Sequence, residues 1–141
     1  MNQRLAATVL FCLGAGLLAG CSSEGATHAV SRFDLVGRWH AGGSCGSSLE
    51  LEEDGSAGWK RWATGYSVDK GRITGRQSGK GTWTLESYQG QQELEVKRGD
   101  TFEPLTMLQD EGRLTLLQTP GEDADNSIGC RFTRIDSHKA N

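Results

Sequence analysis

The chain has 141 residues, with 15 Lys and Arg against 18 Asp and Glu, a formal net charge of −3 at pH 7. That length makes a single domain with a single core the expectation, and the mildly acidic balance argues against nucleic acid as a partner. With three histidines and four cysteines there is little material for metal or nucleophilic chemistry. The first twenty residues differ from the rest: Met1–Arg4 carries one positive charge, and Leu5–Gly20 carries none. An uncharged run this short falls below the roughly 20 residues that span a bilayer. A basic start, a short apolar stretch and a small-residue end together describe an export signal.

"LAGC", Leu18–Cys21, closes that run and resembles a bacterial lipobox. The resemblance implies cleavage before Cys21, a diacylglycerol on its thiol and stable anchoring of the mature chain, since two or three acyl chains bind at about 0.8 kcal/mol per buried methylene. The expected location is the bacterial envelope, on the outer face of the cell membrane or on an outer membrane where there is one. Loss of residues 1–20 removes Arg4 and leaves 14 basic and 18 acidic side chains, a net charge of −4. Cys12 leaves with the signal and Cys21 takes the lipid, so Cys45 and Cys130 remain. An oxidising compartment makes a Cys45–Cys130 disulfide the economical reading; a metal site or a reactive thiol has no supporting neighbours.

Residues 21–33 are small and polar without periodicity and read as a flexible tether. Residues 34–135 read as the folded domain and residues 136–141 as a tail. Within the domain, short alternating segments are separated by Gly, Asp and Ser clusters, the pattern of strands and hairpins. Leu35, Gly37 and Trp39 share one face of the first segment. Leu49 and Leu51 alternate with Glu50 and Glu52, and Asp54-Gly55 is a hairpin turn signal. In "AGWKRW", Ala57 and Trp59 oppose Lys60 and Trp62, so one of the two tryptophans is expected near the surface. "YSVDKGRI" is a weaker strand, broken at Asp69-Lys70-Gly71. Trp83 and Leu85 alternate with Thr82, Thr84 and Glu86, and Leu94 and Val96 with Glu93, Glu95 and Lys97. "EPLTMLQ", "RLTLLQT" and "GCRFTRI" complete eight or nine strands, the first two joined at Asp110-Glu111-Gly112.

No convincing helix follows the signal. Short connections require antiparallel neighbours, and regular spacing points to an all-β antiparallel up-and-down barrel of about eight strands, with a β-sandwich as the alternative. "LVGRW" followed by a "DG" hairpin resembles the first hairpin of lipocalin-like and avidin-like barrels. In those families the Gly-x-Trp plugs one barrel end and the interior holds a small apolar or amphipathic ligand. No Trp follows Trp83, so the avidin pattern of later ligand-stacking tryptophans is absent and biotin binding is not carried over.

The candidate chemistry is sparse. His28, His40 and His138 are scattered, with no His-x-His or Cys-x-x-Cys to start a metal site, and there is no nucleophile-elbow motif. The chain is read as non-enzymatic and without a cofactor. "TGRQSGKGT" fails as a phosphate loop, having three residues between Gly75 and Gly79 and Gly81 after Lys80, and reads as a mobile glycine-rich loop. Two binding readings remain. In the first, Trp39, Trp59, Trp83, Leu94 and Val96 line a cavity for a small hydrophobic molecule; as plain core, they give a domain this size enough apolar area to bury. In the second, Lys60, Arg61, Lys70, Arg72, Arg76 and Lys80, with Asp69 the one acid among them, form a segment of net +5 in a background of −9. That asymmetry suits an anionic polymer, membrane surface or protein, unless the charges simply pair with the acidic strands around them.

Overall fold

The computed structural model describes residues 29–121 and 128–135. The export signal, Cys21 with its lipobox, His28, most of the tether, and the tail with His138 lie outside the described residues. A short helix, α1 (Arg32–Leu35), precedes β1 (Gly37–Ala41), β2 (Ser47–Leu51), β3 (Ser56–Ser67), β4 (Arg72–Tyr88), β5 (Gln91–Arg98), β6 (Thr101–Asp110), β7 (Arg113–Gln118) and β8 (Cys130–Arg134). Each strand pairs antiparallel with its chain neighbour, and β8 returns to β1 to close the barrel. The expected up-and-down barrel is therefore the fold, and it is consistent with the lipocalin-like resemblance.

The period-two pattern explains the core. Trp39, Ala41, Leu49, Leu51, Ala57, Trp59, Trp83, Leu94, Val96, Leu105, Leu116 and Phe132 all point inward and are at most 5% exposed. Register follows from that alternation, because a slip of one residue turns every one of these side chains to solvent. Two hairpins form where Asp-Gly and Glu-Gly steps were read, with Gly55 at φ 87° and Gly112 at φ 75°. Cys45 and Cys130 are bonded, with Cα atoms 5.7 Å apart and a separation of 85 positions in sequence. The bond ties the β1–β2 loop to the start of β8.

Three expectations are corrected. First, a helix does follow the signal, and it begins inside the stretch assigned to the tether. Ser31 caps it: Ser31 Oγ accepts from the Asp34 N–H at 3.3 Å, and the Asp34 carboxylate accepts from the Ser31 N–H at 2.8 Å. One turn cannot hold itself in water; it persists because Leu35, fully buried, seals the barrel end. Second, Trp59 and Trp62 are both interior, at 5% and 0% exposure. A bulge between them, with Arg61 at φ 55°, adds the residue that returns Trp62 to the inner face. Third, the supposed Gly75–Gly81 loop is regular strand within β4. Gly79 and Gly81 lie under Trp59: a Cβ on Gly79 would stand 3.3 Å from the indole, and one on Gly81 would also overlap the Lys97 carbonyl. The glycines make room for a tryptophan and do not loosen the chain.

Candidate functional site

The two barrel ends are built differently. At the α1 end, Trp39 Nε1 donates to the Leu35 carbonyl at 2.9 Å. The Arg134 guanidinium lies over the Trp39 ring, 5.1 Å from its centroid, and donates to the Asp34 carbonyl. Trp83 Nε1 donates to the Glu52 carbonyl at 2.8 Å, and Arg32 covers the Trp83 ring at 4.1 Å. Just before α1, Gln92 pairs with both backbone groups of Val30, at 2.6 and 2.7 Å. Apolar rings, satisfied indoles and covering cations make this end a sealed plug. Hydrogen bonds from Ser31, first through its side chain, hold the Asp34 carboxyl below its ordinary value of 3.8.

At the opposite end the closure is polar. Glu103, inward on β6, accepts from Trp62 Nε1 at 2.8 Å, from Arg98 Nη2 at 2.8 Å and from Gln118 Nε2 at 2.7 Å. Arg98 also donates to Gln77 Oε1 at 2.8 Å, and Gln118 Nε2 also donates to the Ala63 carbonyl at 2.7 Å. Above this network β3 and β4 pair with each other beyond the reach of β2 and β5, forming a two-stranded ribbon that turns at residues 68–71. Arg76 clamps its base by donating to the Ser44 and Cys45 carbonyls, and Gly121 packs on the Tyr66 backbone.

Between the ends, Trp62 stacks on Phe132 at 5.6 Å and stands 6.3 Å from Trp59. The proposed ligand-lining residues Trp39, Trp59, Trp83, Leu94 and Val96 do share the interior, packed within one core cluster. Two buried atoms there, Trp59 Nε1 and Gln118 Oε1, have no hydrogen-bond partner among the described residues.

The six basic residues are all exposed. Among the described residues the ion pairs are Arg98–Glu103 and Arg113–Glu111, so none of the six is paired with a carboxylate. The structure separates them by role. Arg76 is a clamp. Arg61 occupies the bulge, its N–H donating to Ser78 Oγ at 3.0 Å. Lys70 and Arg72 sit at the ribbon tip. Lys60 and Lys80 stand on the barrel wall, where they flank a groove lined also by Arg38, Ser48, Glu50, Gly58, Gly79 and Ile135.

Comparison with protein-family models, curated proteins and solved structures finds no match for this chain. Nothing in the sequence pattern marks Arg98, Glu103 or Gln118, because a polar residue on an alternating strand reads as outward. Arg38 and Glu50 are exposed on β1 and β2, and only register puts them beside Lys60 and Lys80: Arg38 pairs with Glu50, Glu50 with Gly58, and Gly58 with Lys80. Among the described residues no group of three His, Cys, Asp or Glu is placed to hold a metal ion.

Proposed function

We propose that the protein is an exported lipoprotein, anchored in the envelope through lipid on Cys21, whose barrel is a non-enzymatic binding module for an anionic envelope component. The observation that carries this reading is the run of exposed cations on β3, β4 and the turn that joins them, net +5 between residues 60 and 80. Lys60, Lys70, Arg72 and Lys80 are exposed and have no carboxylate partner among the described residues. Charges left unpaired within a protein of opposite net sign create a local field that steers an anionic partner to that face. The sealed end and the packed aromatic interior suit a rigid scaffold that works from its outside.

The test is binding of the full chain, in detergent, to poly(glycerol phosphate) against neutral dextran. Retention on the anionic polymer should weaken as salt rises, and reversing Lys70, Arg72 and Lys80 to Glu should weaken it by about tenfold or more. Binding that ignores both salt and charge reversal overturns the reading.

A second reading, a small hydrophobic molecule with a polar head held inside the barrel, is favoured by the bare Trp59 Nε1 and Gln118 Oε1. A guest would give these atoms the partners that buried polar groups ordinarily have. Mass spectrometry of the intact native protein separates the two readings, because only this one requires a co-purifying ligand.

A further inference from the structure

The wall groove has features that a general attraction for anions does not require. It encloses about 380 Å³, within the range of small-molecule clefts. Its floor crosses β3 at Gly58, where no side chain stands between a ligand and the sheet, while Gly79 on β4 lends only backbone because its open face turns in to Trp59. Lys60 and Lys80 rise on one side and Arg38 on the other, while Glu50 sits in register between Arg38 and Gly58. Neither Arg38 nor Glu50 belongs to an ion pair among the described residues. Ser48 adds a hydroxyl and Ile135, 43% exposed, an apolar rim.

Each part selects for a chemical group. Three cations around one concavity suit a phosphate, whose oxygens accept charge-assisted hydrogen bonds. A lone carboxylate among them disfavours a simple anion but accepts from hydroxyls. A glycine floor admits a flat ring face, and the exposed Ile135 offers it an apolar edge. The geometry points to a binding site for a phosphorylated sugar, with the phosphate between Lys60, Lys80 and Arg38 and ring hydroxyls donating to Glu50. This rests on the anionic-partner reading above and makes it specific. The same chemistry is found in a free sugar phosphate and in the phosphorylated headgroup of a glycolipid.

The probe is glucose 1-phosphate, titrated into the ¹⁵N-labelled full chain in detergent micelles and followed at the Gly58, Gly79 and Ile135 amides. Saturable shifts are expected at these amides, with affinity at least about tenfold above that for glucose or inorganic phosphate. Lys60→Ala with Lys80→Ala should abolish the response, whereas Lys70→Ala with Arg72→Ala should leave it within about twofold. Glu50→Gln should weaken the sugar phosphate about threefold or more without weakening inorganic phosphate. Lipid A added to the micelles distinguishes the sources: a tighter response at the same amides assigns the site to a glycolipid, and a weaker one to the free compound. Silent groove amides, an equal response to inorganic phosphate, or a response surviving the Lys60/Lys80 change overturns the site. If poly(glycerol phosphate) still binds while the groove is silent, the site falls and the wider reading stands; if neither binds, both fall.

Discussion

The two ends of this barrel solve the same problem, closing a tube of eight strands, with opposite chemistry. The α1 end uses apolar bulk: Leu35, Trp39 and Trp83 fill it, and each indole donates to a backbone carbonyl. The ribbon end uses a carboxylate, Glu103, held by a guanidinium, an amide and an indole. Apolar plugs tolerate imperfect partners, whereas a buried polar network is destabilising as soon as one member is missing. The ribbon end also carries the disulfide, which compensates for a closure that depends on geometry.

The largest expected effect follows. Replacing Cys45 and Cys130 with Ser releases a loop whose closure is worth about 4 to 5 kcal/mol on the chain-entropy model. Denaturant unfolding should show that loss. Native-state hydrogen exchange should show it concentrated near residues 42–47 and 128–131, with the Trp39 indole still protected. Equal loosening of both ends would mean that the ends do not differ in what holds them.

Next in size is the carboxylate. The Arg98 and Glu103 side chains are 13% and 17% exposed, with Nη2 and Oε2 2.8 Å apart. Glu103→Ala strips Trp62, Arg98 and Gln118 of their common acceptor and should cost about 2 to 3 kcal/mol, as for hydrogen bonds to a charged group. Replacing Arg98 and Glu103 together with Met should recover much of that loss, since the expense lies in an unpaired buried charge. Urea midpoints of the two variants check it. A double variant no better than the single one would show that Trp62 and Gln118, and not Arg98, depend most on the carboxylate.

How much of this was legible depended on whether a residue obeyed the period of its strand. Leu49, Leu51, Leu94 and Val96 alternate cleanly with charged neighbours, so their inward face, and with it the barrel, could be read directly. Trp62 could not be placed, because the bulge at Arg61 puts a non-glycine residue at positive φ without any local signal. Glu103 was hidden for the converse reason: a carboxylate on an inward position violates the pattern, and its partners arrive from β3, β5 and β7. The groove was half visible. The excess of cations between residues 60 and 80 is a property of composition, but its convergence with Arg38 and Glu50 exists only across four strands. The helix does carry a local signal, since Ser31 and Asp34 stand at capping-box spacing.

That cap gives the smallest effect and the sharpest contrast between the ends. Ser31→Ala removes the acceptor of the Asp34 N–H and a donor to the Asp34 carboxylate, and should cost about 1 kcal/mol. The pH dependence has a definite sign. Asp34 is held below its ordinary value, first by the Ser31 hydroxyl and then by the Ser31 N–H. The folded state therefore binds that proton less readily than the unfolded chain does, and the stabilisation is present in full above the unfolded value. It is lost as pH falls below about 3.8 and through the depressed folded value. Unfolding midpoints of the parent and Ser31→Ala should accordingly differ more at pH 6 than in acid below the depressed value, where only the bond from the Asp34 N–H to Ser31 Oγ still separates them. Because Leu35 and Trp39 stay packed in either protonation state, acid should fray α1 without opening the barrel beneath it. Tryptophan fluorescence that shifts together with the helix signal would show instead that the cap, and not the apolar plug, seals this end.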